Sequence, residues 1–345
     1  MAEDYSAFRT AFFAKCERAN TIAITAHYSP DDDSIASVLS VYTILTTQYP
    51  SKSVRIVYTG KPVERYNIFH NFEHIEFVDD IANHLEGIDL LIILDVSRLA
   101  RISNAPEKII ALGIPAMIAI DHHASPPDEF TLSLIESALS SNAELVYRAL
   151  GAESMLTKEL AELFLLGILG DTGNFAYVNP GQTGVFTIAK GLIEIVGMPI
   201  DAFRARYGGI PKHIVPLLQL LVQNMAYSSI AGWPDAQYSF IDRATMLERG
   251  YTDEDMSAAS HIYMGQYLPR IQGQGWGLVA TPREDGSARI SGRSLRGSVN
   301  VRELFERMGI GGGHDRASGA AMPAMDGKPA VLAILEWMKH NQPLD

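Results

Sequence analysis

Apolar residues in the first half of the chain occur in short runs that alternate with segments of helical spacing. Strand-like runs cover residues 21–26, 53–59, 75–78, 90–95 and 115–120, and helical segments include 5–19, 34–48, 157–170 and 183–196, with further helical stretches between the strands. Short apolar strands alternating with helices are typical of a buried, mainly parallel sheet. The pattern predicts an α/β fold with a mainly parallel sheet flanked by helices.

The second half of the chain predicts a smaller α/β domain. Residues 198–231 have helical spacing but are interrupted by glycine and proline, which indicates a connector. A strand over 236–241, a hairpin of 276–282 and 287–293, and helices over 299–308 and 329–340 follow. We therefore divide the chain into an N-terminal domain at 1–197, a helical connector at 198–231 and a C-terminal domain at 232–345.

Composition narrows the class of protein. The 345 residues carry a formal net charge of −12, which argues against a general coat for duplex DNA. Cys16 is the only cysteine, the N-terminus lacks the pattern of a secretory signal, and every apolar run is shorter than the roughly 20 residues that span a bilayer. We expect a soluble cytoplasmic protein with no membrane segment.

Arginine is unevenly distributed along the chain. Residues 270–316 contain eight arginines, no lysine and five acidic residues. Arginine without lysine suits bidentate contacts with phosphate, although a solvated surface can have the same composition. The glycines at 311–313 alone are typical of a turn, but beside Arg293, Arg296 and His314 they indicate a pocket for a phosphate or nucleotide.

Side chains that bind metals follow several of the apolar segments. The candidates are His27, Asp31, Asp33, Asp95, Asp121, His122, His123 and Asp171. Because the carboxyl ends of parallel strands converge on one crevice, we expect these groups to lie together, where cations must neutralise their repulsion. Acids that only cap a helix would explain Asp31 and Asp33 taken alone. The whole set favours a centre with two metal ions.

The ligand types indicate which metal and which reaction to expect. Carboxylate oxygens mixed with imidazole nitrogens favour Mn²⁺, with Mg²⁺, Co²⁺ or Fe²⁺ as alternatives. Two such ions, roughly 3.5–4 Å apart, clamp the attacking and leaving oxygens of an in-line displacement. Hydrolysis of a phosphate ester or anhydride uses such a centre best.

In order and spacing, these motifs resemble those of the DHH phosphoesterase family over nearly the whole chain. The four N-terminal motifs are His27-x-x-Pro30-Asp31-x-Asp33-Ser34, Asp95, Asp121-His122-His123 and Asp171-Thr172-Gly173. The segment Gly311-Gly312-Gly313-His314-x-x-Ala317-Ser318-Gly319 resembles the signature of a domain appended in one subfamily. The greatest similarity is to members that degrade nanoRNA and act as adenosine 3′,5′-bisphosphate phosphatases.

The resemblance implies a role for each matching residue. One metal ion would be held by His27, Asp31 and Asp95, and the other by Asp33, Asp95, His122 and Asp171. Asp121 would orient His122, and His123 would act on the scissile phosphate as a general acid or by stabilising charge. The nucleotide portion would be bound in the C-terminal domain, across a cleft that holds the active site, by Arg293, Ser294, Arg296, Gly312, Gly313 and His314.

The expected function is Mn²⁺-dependent hydrolysis of short oligoribonucleotides to 5′-mononucleotides, with adenosine 3′,5′-bisphosphate as a further candidate substrate. Three alternatives remain: a phosphodiesterase for cyclic di-AMP or its linear product, a pyrophosphatase, and a nucleotide-binding module without catalysis. The resemblance alone implies a homodimer. Asp32 departs from the family pattern, since many relatives have a small residue there, and it either tunes the choice of metal or faces solvent.

Overall fold

The computed structural model describes residues 4–28, 30–124 and 127–343, without the side chains of Pro269 and His314. The chain divides into an N-terminal unit that ends at Gly209 and a C-terminal unit that begins at Ile210. Each unit has its own six-stranded sheet and its own apolar cores. Within residues 198–231, the division falls between two short helices.

The sheet of the N-terminal unit is parallel throughout. Its strands are β1 (Thr21–Ala26), β2 (Ser53–Thr59), β3 (Ile75–Val78), β4 (Leu90–Leu94), β5 (Ala116–Asp121) and β6 (Leu132–Ile135). Their order across the sheet is β3-β2-β1-β4-β5-β6, so the strand order reverses between β1 and β4. In open sheets of this kind, ligands bind outside the carboxyl ends of the strands at such a reversal.

Helices and turns cover both faces of this sheet. The α-helices are α1 (Ser6–Arg18), α2 (Asp32–Gln48), α3 (Pro106–Ala111), α4 (Asn142–Leu150), α5 (Lys158–Asp171), α6 (Val185–Val196) and α7 (Ile200–Tyr207). Alternate residues of β4 enter two cores: Leu90, Ile92 and Leu94 pack with most of the helices, while Leu91 and Ile93 pack on the other face with α3. No helix in the described part of the chain is long and apolar enough to cross a membrane.

The predicted α/β class and parallel sheet are confirmed, with local differences. Neither β6 nor α4 was predicted. The segments between β2 and β4 were predicted to be helical, but they contain only short 3₁₀ turns, at Glu64–Tyr66, Phe72–His74 and Ile81–Asn83. Asn71 has a φ of 69°, a left-handed conformation that interrupts any continuous helix between the first two turns.

The C-terminal unit contains a mixed sheet covered by helices. Its strands are β7 (Ala226–Ser228), β8 (Ala236–Phe240), β9 (Trp276–Pro282), β10 (Ala288–Ser294), β11 (Gly311–His314) and β12 (Ala317–Met322), in the order β11-β12-β10-β9-β8-β7. Its helices are α8 (Val215–Gln223), α9 (Arg243–Arg249), α10 (Asp253–Gln266), α11 (Val301–Met308) and α12 (Gly327–Lys339). The predicted hairpin is confirmed as β9 and β10, whereas α9 and α10 were not predicted.

The glycine-rich segment at 311–313 belongs to a strand. It forms β11, which pairs antiparallel with β12. A Cβ atom on Gly311 would lie 2.2 Å from the carbonyl oxygen of Gly319, closer than van der Waals contact allows. Glycine therefore permits two strands to approach closely here. The sequence alone indicated a turn or a phosphate-binding loop for this segment.

Candidate metal centre at the carboxyl edge of the parallel sheet

The carboxyl ends of β1 and β4, where the strand order reverses, are followed by His27 and Asp95. Asp95 has a φ of 59°, a left-handed conformation that is uncommon outside glycine, and its N–H donates to the carbonyl of Ile120 at 2.9 Å. His27 Nε2 lies 3.3 Å from Asp95 Oδ2. The two residues are only 8% and 2% exposed, so a carboxylate and an imidazole meet in a buried position at the reversal.

The start of α2 supplies two further carboxylates, each of which also holds a helix N-terminus. Asp31 Oδ1 accepts the N–H of Ser34 at 2.9 Å, which caps α2, while its Oδ2 lies 3.6 Å from His27 Nε2. Asp33 is fully buried, and its two oxygens accept backbone N–H groups at the start of α4 at 2.5 and 2.8 Å. Capping and metal binding are therefore not exclusive alternatives for these two acids.

His122, which follows β5, faces three carboxylates. Its Nε2 lies 3.0 Å from Asp171 Oδ2 at the end of α5, 3.5 Å from Asp95 Oδ1 and 3.8 Å from Asp33 Oδ2. Elements that are far apart in the chain thus bring their acids to one imidazole.

Asp121 contacts His123 and not His122. The Nδ1 atom of His123 lies 2.6 Å from Asp121 Oδ1, which also accepts the backbone N–H of His123 at 3.0 Å. The predicted orientation of His122 by Asp121 is therefore wrong. The strand ends at Asp121 and the chain bends at His123, where the Asp121 carboxylate accepts the N–H two residues on, as in an Asx turn. This turn pairs Asp121 with His123.

Three groups of side chains among the described residues could hold a metal ion, because their ligand atoms lie within 4.8 Å of one another. The groups are His27 with Asp31 and Asp95, Asp33 with His122 and Asp171, and Asp95 with His122 and His123. The structure therefore brings together all the residues that the resemblance implies as ligands. Asp95 belongs to a group with His27 and to a group with His122.

The electrostatics of these groups suit bound cations. Burial raises the pKa of Asp33 well above its usual range, and the charges of Asp171 and Asp95 raise it further. Burial also raises the pKa of Asp95. Asp95 Oδ1 and His122 Nε2 are buried without a hydrogen-bond partner among the described residues. A divalent cation would neutralise the carboxylates and coordinate both atoms, so the residues fit the expected metals.

Asp32 points away from these groups. Consecutive side chains in the first turn of a helix diverge by about 100°, which separates Asp32 from Asp33, while Asp31 precedes the helix as its N-cap in extended backbone. Its side chain is 18% exposed, and its Oδ1 accepts hydrogen bonds from Arg65 Nη2 at 2.6 Å and from the Tyr66 hydroxyl at 2.7 Å. The expectation that Asp32 faces solvent is therefore wrong, because Arg65, from the loop after β2, forms an ion pair with it and covers its carboxylate.

Asn142 is a residue of this site that the sequence analysis missed. With its amide oriented so that both ends are paired, it donates to the Ile120 carbonyl at 3.0 Å and accepts from the Asp95 N–H at 3.1 Å and the Ser37 hydroxyl at 3.0 Å. It thus supports the unusual backbone of Asp95. The pattern Ser141-x-x-Glu144, typical of a helix start, was the signal that could have revealed α4.

Of the residues predicted to bind nucleotide, Arg293 and Ser294 are neighbours on β10. Their side chains therefore point to opposite faces of the sheet. Ser294 is 8% exposed, and its N–H donates to the carbonyl of Arg316 at 2.9 Å. Arg293 is half-buried on the other face. The sheet thus separates two side chains that the sequence analysis placed in one pocket.

The remaining predicted residues lie on β11 and in the turn after β10. Gly312 and Gly313 pair with residues of β12, while the side chain of His314 lies outside the described part of the structure. Arg296 is exposed in its turn. Arg316, which the sequence analysis did not single out, holds this turn because its Nη1 donates to the carbonyls of residues 298 and 299 at 3.0 and 3.2 Å.

Family models match both units of the chain. The model of the DHH family, N-terminal domain, matches residues 21–168, and that of the DHHA1 domain matches residues 244–339. The first segment contains every candidate ligand except Asp171. Together the two segments span more than two thirds of the chain, in the order that the motifs predicted.

Similar proteins extend over nearly the same length. A bifunctional oligoribonuclease and PAP phosphatase NrnA of Bacillus subtilis is 28% identical, with 92% of this chain and 95% of that protein covered. A probable protein of the same name from Streptococcus mutans is 26% identical, with 91% and 93% covered. The solved structure of an exopolyphosphatase-related protein from Bacteroides fragilis shares the fold, with a TM-score of 0.80, 24% identity, and 97% and 96% covered.

Proposed function

Since the chain belongs to the DHH family of phosphoesterases and carries a DHHA1 domain, we propose that it hydrolyses short oligoribonucleotides to 5′-mononucleotides with two Mn²⁺ ions. Adenosine 3′,5′-bisphosphate is a second substrate in this proposal. The observation that carries it is the position of Asp95 in ligand groups with both His27 and His122. The names of the bacterial relatives, oligoribonuclease and PAP phosphatase, support the choice of substrates.

Asp95 is the residue through which both metal positions are connected. Its Oδ2 lies on the side of His27, 3.3 Å away, and its Oδ1 on the side of His122, 3.5 Å away. One metal ion would be held by His27, Asp31 and Asp95, and the other by Asp33, Asp95, His122 and Asp171. When bound, two divalent cations stabilise the attacking and leaving oxygens of the displacement and lower the pKa of a water molecule.

His123 supplies the proton chemistry in this proposal. The Asp121 carboxylate can only accept a hydrogen bond from Nδ1, so it selects the tautomer or the protonated form that carries hydrogen on this nitrogen. Burial lowers the pKa of His123, but the hydrogen bond to Asp121 and the charge of Asp95 raise it overall. A histidine held in this way protonates the leaving oxygen or stabilises charge on the phosphate.

The C-terminal unit binds the nucleotide portion of the substrate in this proposal. Arg293 and Arg296 provide guanidinium groups for phosphate, and Gly312, Gly313 and His314 complete the binding site. The net charge of −12 disfavours long polyanions, so a short substrate suits this chain better than a polymer.

Initial rates with Mn²⁺ against five substrates test this function. We expect turnover of pApA, a short RNA and adenosine 3′,5′-bisphosphate, and little turnover of cyclic di-AMP or pyrophosphate. Asp95→Ala serves as the negative control and should be inactive, because one carboxylate connects both metal positions. A preference for cyclic di-AMP would replace the proposal with a second-messenger phosphodiesterase, and inactivity on all five substrates would indicate a binding module.

A further inference from the structure

Arg65 lies at the same edge of the parallel sheet as the candidate metal centre. It belongs to the 3₁₀ turn that follows β2, the neighbour of β1. Its Nη2 donates to Asp32 Oδ1 at 2.6 Å and to the Tyr66 hydroxyl oxygen at 2.5 Å. The Tyr66 hydroxyl in turn donates to the same oxygen of Asp32 at 2.7 Å. The three side chains therefore form a closed set of hydrogen bonds.

The partners of Arg65 have little freedom to move. Tyr66 is fully buried, and its ring centroid lies 4.6 Å from Arg65 Cζ, a cation–π contact. Asp32 is pressed against α5, since a Cβ atom on Gly170 would lie 2.5 Å from Asp32 Cβ. An arginine held by a rigid carboxylate and a rigid phenol loses less conformational entropy when it binds a ligand.

The other edge of the Arg65 guanidinium is open. Its Nε and Nη1 have no hydrogen-bond partner among the described residues, and the side chain is 40% exposed. Two candidate metal ligands are also partly exposed: the side chains of Asp31 and Asp171 are 53% and 28% exposed. Burial lowers the pKa of Arg65, but the charge of Asp32 and the contact with Tyr66 raise it overall. Because Asp32 lies between Asp31 and Asp33 in the chain, its ion pair holds the Arg65 guanidinium beside the metal-binding loop.

We propose that Arg65 binds a non-scissile phosphate of the substrate beside the metal centre, and that Asp32 and Tyr66 are its positioning residues. This inference rests on the proposed phosphodiesterase function. A guanidinium with free donors on one edge matches phosphate oxygens in a bidentate contact. We assign Arg65 to a phosphate other than the scissile one, because its carboxylate partner, Asp32, belongs to none of the three ligand groups.

Two dinucleotides that differ by one phosphate test the inference. The terminal 5′ phosphate is present in pApA and absent from ApA. The test determines kcat and KM of both dinucleotides with Mn²⁺. It also determines Kd of both dinucleotides by calorimetry, with Ca²⁺ in place of Mn²⁺. In Arg65→Gln, KM and Kd for pApA should rise about 10–100-fold, the loss expected for a charge-assisted contact, while the values for ApA stay unchanged.

Two variants distinguish recognition from a structural role. Asp32→Asn keeps the shape of the positioning residue but removes its charge, so it should raise KM for pApA with kcat and the ApA values unchanged. Arg55→Gln is the matched control, because Arg55 is also paired with a carboxylate, is 36% exposed and lies near the start of β2. This variant should leave kcat, KM and Kd unchanged for both substrates.

The results separate this inference from the proposed function. Equal losses on pApA and ApA in Arg65→Gln, with normal wild-type turnover, would overturn the role of Arg65 and leave the function intact. If the wild type cleaved neither dinucleotide but Arg65→Gln still weakened only pApA binding, the phosphodiesterase proposal would fail and the phosphate contact would stand. Unchanged Kd values for both ligands would overturn the contact in either case.

Discussion

Asp95 shows how one residue combines strain with a functional position. A left-handed backbone in a residue other than glycine costs free energy, on the order of 1–3 kcal/mol, and persists only where the surroundings enforce it. Here the Ile120 carbonyl and the Asn142 amide both bond to the Asp95 N–H. The bent backbone lets a single carboxylate face His27 with one oxygen and His122 with the other. An unstrained aspartate at the end of β4 would continue the direction of the strand.

The pairing of Asp121 with His123 gives a prediction at the same scale. His123→Ala should reduce kcat by about 10²–10⁴-fold, the usual range for an acid–base group. Asp121→Asn should reduce it less, and the double variant should be no slower than His123→Ala, because the two residues act as a unit. Steady-state kinetics with Mn²⁺ for the three variants measure this.

Metal binding provides the decisive control for that prediction. Because His123 also lies in a ligand group with Asp95 and His122, calorimetric titration with Mn²⁺ must accompany the kinetics. Unchanged stoichiometry and affinity in His123→Ala would fit a role in proton chemistry. A lost Mn²⁺ site in this variant would make His123 a ligand, and His340→Ala, at a side chain that is 74% exposed, controls for loss of a histidine elsewhere.

At the scale of elements, the sequence predicted the strands whose apolar runs are buried. It missed the features that depend on contacts between distant parts of the chain. The first three strands match the predicted ranges. In β1 the reason is that an apolar run buried on both faces is visible without a partner. The helix α4 was missed because only nine residues carry its pattern. The candidate ligands were named from the sequence, but the contact of Asp32 with Arg65 depends on side-chain directions and on a loop that returns from β2.

Helix α5 packs closely against α2 and α4 because it contains glycine where the three helices meet. A Cβ atom on Gly167 would lie 2.5 Å from Ala143 Cβ and 2.7 Å from Asp33 Oδ1. Gly167→Ala should therefore displace the Asp33 carboxylate, lower kcat/KM and Mn²⁺ affinity, and destabilise the protein by about 1–3 kcal/mol through overpacking. Activity assays, Mn²⁺ titration and thermal unfolding measure the three effects.

Gly191→Ala is the matched control for this substitution. Gly191 also lies within a helix, α6, but a Cβ atom there would have no neighbour within 4 Å. Alanine should therefore stabilise the protein by up to about 1 kcal/mol through helix propensity and leave activity unchanged. If the two variants behaved alike, the close packing of α2 and α5 would not explain the position of Asp33.

At the scale of the whole molecule, charge is used differently in the two units. Several of the arginines between residues 270 and 316 are engaged inside the C-terminal unit: Arg302 pairs with Glu306 and Asp315, and Arg307 donates to the Gln342 carbonyl. The arginine-rich composition therefore overstated the cationic surface available to a substrate. In the N-terminal unit the reverse holds, because buried acids converge on one edge of the sheet and favour the binding of cations.

Because each unit has its own cores and the candidate metal centre lies in the first, Mn²⁺ should stabilise the units unequally. Calorimetric unfolding of EDTA-treated protein should show two transitions. Mn²⁺ at 100 times its Kd should raise one of them by ~5–10 °C for each occupied site, since binding of one ion to the native state contributes about 2.7 kcal/mol at that concentration. Asp95→Ala should abolish the shift, and Ile290→Ala, in the core of the C-terminal unit, should lower only the other transition. A single transition that Mn²⁺ moves as a whole would contradict independent units, because the stabilisation would then pass from the metal centre to cores that contain none of its ligands.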